Sequence, residues 1–312
     1  MPTALLMANP SASQFTGGIY RQVVSILKTR FDLSTSWPVS ALDTGRETRS
    51  VAEDGIDVVF AMGGDGVAHH VANGLVGTDT ALGLIPAGTT NVLARILGVP
   101  RKPKLAATAA ADYEAIPTRM VRVIADTDFG RITRYATFSL GIGFDADVVE
   151  VAETRPFAKS RFGSVHYAST AITRLLTNWR SEMPTLRIDC DGDRFDAVVA
   201  LTQVHEPYTY FGAVPLHLTP DRPAGVATLA ADDLGVRRAA EIFTRAVLGR
   251  KHRSATGTKL WIDYESLIID ADPKTPFQAD GELLGMASRL EIVPVEDAMK
   301  VLRPAEEVDR KS

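Results

Sequence analysis

The stretch Phe60-Ala61-Met62-Gly63-Gly64-Asp65-Gly66-Val67 sets the tightest limit on how this chain can fold. A short apolar run, Asp57 to Met62, stops at three glycines wrapped around one carboxylate. Helical spacing then begins at once, with Val67, Val71 and Leu75. This order reads as strand, tight turn and helix start. Glycine lets a backbone approach a ligand closely, because no Cβ intervenes. A helix start adds N–H groups and partial positive charge, both of which suit phosphate. Asp65 is the odd member, since a carboxylate repels phosphate unless a cation or a proton transfer is involved. The combination points to metal-assisted phosphoryl chemistry. An ordinary βα turn with a helix-capping Asp carries the same local signature.

The 312 residues exceed a typical single core and suit two domains. A net charge of −4 offers no bulk attraction to nucleic acid, so no nucleic-acid partner is expected. The single cysteine, Cys190, excludes an intrachain disulfide and a Cys-rich zinc site, and a reducing cytoplasm fits. Met1 to Pro10 has no basic segment and reads as a first strand and turn rather than a signal peptide. No apolar run approaches the ~18 residues of a spanning helix, so any membrane contact is expected to be peripheral.

Residues 1–115 alternate between strand and helix signals. Ala4–Ala8 is an apolar run, and Ile19, Val23, Ile26 and Leu27 recur at helical spacing. Phe31–Trp37 reads as extended, Thr44–Glu53 as helix and Asp57–Met62 as a buried strand. Helix Gly66–Leu75, strand Ala81–Ile85, helix Thr89–Leu97 and an alanine-rich helix Lys104–Glu114 follow. Such an order predicts a parallel sheet with helices on its faces, and ligands at the carboxyl ends of its strands. From Ile116 onward strand-like runs dominate: Met120–Ala125, Thr133–Ile142, Thr185–Asp189, Arg194–Thr202, Leu260–Ile262, Ser266–Ile269 and Leu290–Val293. Helical patterns interrupt them near Ser164–Leu176 and Gly235–Leu248. The expectation is an α/β nucleotide domain of Rossmann type, followed by an antiparallel β-sandwich.

Other motifs add to the first turn. Pro86-Ala87-Gly88-Thr89-Thr90-Asn91 follows the next strand, and it too has the form of an ordinary capped βα loop. Together the two turns offer N–H groups and hydroxyls at adjacent strand ends. Asn9-Pro10-Ser11-Ala12-Ser13 is a small polar loop after the first strand, and Asp280-Gly281-Glu282 has the pattern of a solvated hairpin turn. Gly141-Ile142-Gly143-Phe144-Asp145-Ala146 reads as close strand–helix packing. His69 and His70 are adjacent on a helix, so at most one can face the turn. In Arg237–Arg253, Val236, Ala239, Ala240, Phe243, Ala246 and Val247 make an apolar stripe, and Glu241 is the only acid. Six basic residues flank that stripe: Arg237, Arg238, Arg245, Arg250, Lys251 and Arg253. Two readings stand for it, a helix packed on the sandwich or a bilayer-facing patch. Arg155, Lys159 and Arg161 form a smaller basic group.

Taken in order, Gly63-Gly64-Asp65-Gly66, Pro86-Ala87-Gly88-Thr89-Thr90-Asn91 and Asp280-Gly281-Glu282 resemble the diacylglycerol kinase catalytic-domain family, which includes bacterial lipid kinases and the sphingosine kinases. Asn9-Pro10, Asn73-Gly74-Leu75 and Gly141–Ala146 add to the likeness. Asn91-Val92-Leu93-Ala94-Arg95 and Arg161-Phe162-Gly163 bring it closest to actinobacterial members. The resemblance implies a nucleotide domain at 1–118 joined by 294–312, and a lipid-substrate domain at 119–293. ATP would lie between them, against Asn9, Gly63, Gly64, Asp65, Gly66, Gly88, Thr89, Asn91 and Gly281. Asp65 would organise Mg2+, and Glu282, with Asp280 beside it, would take the proton of the acceptor hydroxyl. The implied protein is a cytoplasmic, peripherally membrane-associated lipid kinase, with its oligomeric state, homodimer included, left open.

The chain departs from the family pattern in places. Val67 replaces the usual threonine, and Val92 replaces an aspartate common in bacterial members. The first loop lacks the common glycine, and Asp221-Arg222-Pro223-Ala224-Gly225 stands where many members hold a structural Mg2+, which is therefore not carried over. Two other readings remain: a non-catalytic nucleotide- or lipid-binding homologue, and a soluble kinase such as an NAD kinase or phosphofructokinase.

Overall fold

The computed structural model describes residues 1–143, 185–220, 225–252 and 256–304. The helical pattern at 164–176, the basic group Arg155, Lys159 and Arg161, the Arg161-Phe162-Gly163 match, the ends of the Gly141–Ala146 and Asp221–Gly225 motifs, and Arg253 lie outside the described residues. The chain divides into two compact units, Met1–Arg119 with Glu296–Ser312, and Met120–Val295. Among the described residues, no helix is long and apolar enough to cross a membrane.

The first unit is an α/β layer structure. Its strands are β1 (Thr3–Ala8), β2 (Asp32–Ser36), β3 (Val58–Gly63) and β4 (Ala81–Pro86). All pair in parallel, in the order β2-β1-β3-β4. The end of the last strand, β16 (Glu282–Arg303), adds a further parallel partner, with Lys300 opposite Ala81. Strands β3 and β4 are buried along their whole length, which explains why they read as continuous apolar runs. Connections run outward from β1 to β2 in one direction and from β3 to β4 in the other. The sheet therefore has a topological switch point between β1 and β3, where doubly wound sheets open a crevice.

The helices show which parts are scaffold. Helix α1 (Gly17–Leu27) buries Val23 and Leu27 and is capped by Thr16, whose hydroxyl accepts the Ile19 N–H at 3.1 Å. Helix α2 (Ala41–Glu53) is capped likewise by Ser40 on Asp43 N–H. Helices α3 (Asp65–Leu75) and α4 (Val92–Ile96) have no side-chain cap of their own at the N-cap residue. Helix α4 is shorter than the sequence pattern over Thr89–Leu97 predicts, because Asn91 is left-handed at φ 51° and the helix can start only after it. The alanine-rich stretch also stops early: α5 covers Pro103–Ala109, a 3-10 turn covers Ala110–Asp112, and β5 (Glu114–Thr127) begins directly after.

The second unit is antiparallel and strand-rich. The run expected over Thr133–Ile142 is two strands, β6 (Gly130–Ala136) and β7 (Ser139–Gly143). The run over Arg194–Thr202 is likewise β9 (Asp193–Ala197) and β10 (Val199–Gln203), after β8 (Leu186–Cys190). Strands β11 (Thr209–Phe211) and β12 (Val214–Leu216) form a small hairpin, followed by β13 (Ala227–Ala231), helix α6 (Val236–Val247) and β14 (Thr258–Ile262). Strand β15 (Leu267–Ala279) is far longer than the run Ser266–Ile269 suggests. It pairs with β8 through Ile268–Ala271 and with β7 through Phe277–Ala279, and its register shifts between Asp270 and Thr275. That irregularity lets one strand serve two neighbours around a core of Val123, Leu140, Ile188, Trp261, Phe277 and Leu290.

Two buried details yield tests. Gly83 pairs with Phe60, and a Cβ on Gly83 would lie 2.2 Å from the Phe60 ring. Gly83→Ala should lower the unfolding free energy by about 1–3 kcal/mol, with Phe60→Leu relieving part of the loss in a double-mutant cycle read by urea denaturation. His252 is fully buried and donates from Nε2 to the His217 carbonyl at 3.1 Å. Burial lowers its pKa, so the folded state resists the proton that the unfolded chain accepts. Its stability contribution is full above the unfolded value and falls as pH drops below about 6.5. Unfolding free energies measured from pH 7.5 downward should fall on this limb, and His252→Gln should flatten it.

Candidate functional site

Three loops meet at the carboxyl ends of β1, β3 and β4, beside the switch point. The Gly63 carbonyl accepts both the Ala87 N–H at 2.7 Å and the Gly88 N–H at 3.1 Å. Gly64 and Gly88 then approach backbone to backbone: a Cβ on Gly88 would lie 2.5 Å from the Gly64 Cα and 2.9 Å from Asn91 Oδ1. No side chain fits there, which is the physical reason for glycine at 88. The Asn9 loop closes the third side. Asn9 N–H donates to the Met62 carbonyl at 3.0 Å, Gln14 N–H to the Ala87 carbonyl at 2.8 Å, and Gln14 Nε2 to the Gly88 carbonyl at 2.7 Å. The hydroxyls of Ser13 and Thr89 lie 3.1 Å apart on the exposed rim.

The polar side chains hold this arrangement. Asn91 is 4% exposed. Its Oδ1 accepts the Gly88 N–H at 3.0 Å and its Nδ2 donates to the Gly88 carbonyl at 2.8 Å. The resemblance implies an ATP contact at Asn91; in the fold its amide group clamps the turn. Asn9 Oδ1 accepts the Ser11 N–H at 2.9 Å and shapes its own loop in the same way. Asp65 Oδ1 accepts the Leu93 N–H at 3.2 Å, so a residue of the first glycine turn caps the helix that follows the second. The first intrahelical bond of α3 runs from Ala68 N–H to the Gly64 carbonyl. The amides of Asp65, Gly66 and Val67 thus precede any helical acceptor, as anion-binding helix starts require.

Val67 has a steric job. A Cβ on Gly63 would lie 2.6 Å from Val67 Cγ2, so the valine fills the space that Gly63 leaves empty. Val92 is buried at the start of α4. Gln14 escaped sequence reasoning, because a lone glutamine in a polar loop carries no pattern; its tertiary role is to tie the first loop to the third.

The Asp280 turn belongs to the second unit. Asp280 and Gly281 have φ of 55° and 83°, the pair of positive values that a type I′ hairpin turn requires between β15 and β16. The turn is a hairpin as read, but its aspartate is not solvated: Asp280 is 2% exposed. Oδ1 accepts N–H groups of Thr137 at 3.0 Å, Phe138 at 2.9 Å and Ser139 at 3.1 Å, and Oδ2 accepts that of Thr137 at 2.8 Å. These bonds lie at the break between β6 and β7, which hydropathy alone could not show. Glu282 opens β16 opposite Ala279 and is half-buried.

No cluster of three or more His, Cys, Asp or Glu side chains suited to a metal occurs among the described residues. His69 and His70 stack edge to face without such a cluster. Asp65 is the carboxylate at the glycine turns. That donor set does not suit a resident metal cage, but it fits Mg2+, which binds through one or two carboxylates plus substrate phosphates and keeps several waters.

Comparison with known proteins bears on the family and the fold. Residues 3–123 match the family described as the diacylglycerol kinase catalytic domain. An uncharacterized protein of Synechocystis sp. is 25% identical over 97% of this chain and 71% of its own length. The diacylglycerol kinase of Bacillus subtilis is 33% identical over 111 residues, which span 34% of this chain and 37% of that one. A solved diacylglycerol kinase structure from Bacillus anthracis aligns with a TM-score of 0.69 over 96% of each chain at 17% identity, a likeness of fold alone.

Asp280→Ala leaves the amides of Thr137, Phe138 and Ser139 without their buried acceptor. Urea denaturation should show a loss of about 3 kcal/mol or more, at 1–3 kcal/mol per unsatisfied group. Asp280→Asn, which keeps one acceptor oxygen, should lose less.

Proposed function

We propose that this chain, whose residues 3–123 match the diacylglycerol kinase catalytic domain, is a kinase that transfers the γ-phosphoryl group of ATP to a lipid hydroxyl. The observation that carries the reading is the backbone contact of Gly64 with Gly88 at the ends of β3 and β4, beside the switch point. It offers a polyphosphate a surface of amides without side chains, beside one carboxylate.

In this reading the phosphates lie against the amides of Gly64, Asp65 and Gly66 at the start of α3, with Thr89 at the rim. Asp65 holds the cation that accompanies the nucleotide. Mg2+, when bound, supplies charge neutralisation on the phosphate oxygens. Glu282 accepts the proton of the acceptor hydroxyl as its oxygen bonds to the γ-phosphorus. The bond from that phosphorus to the β–γ bridging oxygen breaks, and ADP leaves. Such transfers depend on positioning and charge more than on base strength. Asp280 takes a positioning role, because its carboxylate secures the turn that carries Glu282.

One observation favours a second reading, a non-catalytic nucleotide-binding homologue. Val67 packs on Gly63 with no hydroxyl to offer a phosphate.

Radiolabelled ATP incubated with a total lipid extract separates the two. Labelled lipid from the wild-type protein is the expected result, and identification of the product names the acceptor. ATP binding without labelled lipid would favour the second reading. Asp65→Asn keeps an oxygen for the Leu93 amide but removes the charge, so turnover should fall about 100-fold or more with the melting temperature unchanged. Gly88→Ala should weaken ATP binding, because its Cβ would push the two turns apart. Full activity in Asp65→Asn would remove Asp65 from the mechanism.

A further inference from the structure

The most unusual surface lies on the second unit, away from the Asp280 turn in sequence. Helix α6 packs on buried strand residues through Ala239 and Ile242, and its Ala246 is buried. Its other apolar residues do not follow them inward. Phe243 is 45% exposed and Leu248, at the helix end, is 55% exposed. The β11–β12 hairpin joins them: Phe211 meets Phe243 edge to face at 5.8 Å, and Val214, paired with Phe211, is 40% exposed. The His217 N–H donates to the Ala246 carbonyl at 3.0 Å, which fixes the hairpin against the end of the helix.

The exposed charges of the helix and of the turn after it are all cationic, and the half-buried Glu206 beside the hairpin is paired with His217. Arg237, Arg250 and Lys251 are exposed. Glu241 is half-buried and engaged by Arg245 at 3.0 Å and Arg238 at 3.8 Å. The nearest exposed acid in sequence, Asp233, accepts the Gly235 N–H before the helix begins. This local cationic face stands on a chain whose net charge is −4. Exposed aromatic and aliphatic side chains among cations suit the headgroup layer of an anionic bilayer, where rings settle at the interface and each cation finds phosphate.

We propose that helix α6 and the β11–β12 hairpin form a docking face for an anionic phospholipid surface. The inference rests on the lipid-kinase reading for its purpose, since a kinase acting on a membrane-embedded hydroxyl must stay at the interface between turnovers. Phe243, Leu248 and Val214 enter the headgroup layer, and Arg237, Arg250 and Lys251 bind lipid phosphates.

Sedimentation of the full chain with vesicles tests it. Vesicles of equal parts phosphatidylglycerol and phosphatidylcholine should retain the protein, pure phosphatidylcholine should not, and about 1 M salt should release it. Each of Arg237→Gln, Arg250→Gln and Lys251→Gln should lower the partition coefficient about fivefold. Phe243→Ser with Leu248→Ser should lower it about tenfold or more. ATP binding, measured on the same variants, should stay at the wild-type level and so show that the fold is intact. Wild-type protein that ignores anionic vesicles, or variants that bind as well as wild type, would overturn the proposal. Self-association abolished by the Phe243 and Leu248 changes, without vesicle binding, would assign the face to a second copy instead. Vesicle binding that persists while no lipid is phosphorylated would sink the kinase reading and leave the docking face standing.

Discussion

Everything at the candidate site depends on one close contact, in which the Gly63 carbonyl receives two amides of the following turn and Gly64 lies against Gly88. Two strand ends are thereby locked at a separation that no side chain could share. The same contact sets the line of approach for a ligand, because it leaves backbone rather than side chains at the surface. Helix capping follows from it. The scaffold helices α1 and α2 are closed by their own Thr16 and Ser40, whereas α4 takes its cap from Asp65 on a neighbouring turn. The site is thus a tertiary object built from parts that are incomplete alone.

Aspartate does similar work in both units. Asp65 and Asp280 each lie in a glycine turn and accept from a segment distant in sequence, Asp65 the Leu93 N–H and Asp280 those of Thr137, Phe138 and Ser139. A carboxylate with several amide partners is rigid, since any rotation leaves a donor unsatisfied. Such rigidity suits phosphoryl transfer, where catalysis rests on where groups sit rather than on how strongly they ionise. It also means that loss of Asp280 function in an assay would first report a loosened hairpin. Stability and turnover must be measured on the same variant.

Much of the fold is legible in the residues. The apolar runs of β3 and β4 and the three-glycine punctuation between Met62 and Val67 identify the α/β half, because full burial on both faces demands that pattern. Boundaries were less legible where a distant group sets them. The break between β6 and β7 falls where the Asp280 carboxylate captures Thr137, Phe138 and Ser139, in a stretch whose composition reads as unbroken strand. Helix α4 begins late because Asn91 is held left-handed by its two bonds to Gly88. Strands β15 and β16 outrun their apolar cores, since ladder bonds carry them through polar residues such as Asp270 and Arg289.

By itself, then, the sequence determined the alternation of strand and helix, the glycine turns and the chemistry they point to, since periodicity and glycine content are local properties. Tertiary structure alone decided what the polar side chains do. Asn91 and Asn9 shape their loops, Gln14 ties one loop to another, and Val67 fills the gap at Gly63. A hydrogen-bonding group serves whichever donor or acceptor folding brings to it, and a side chain cannot announce that partner from its place in the chain.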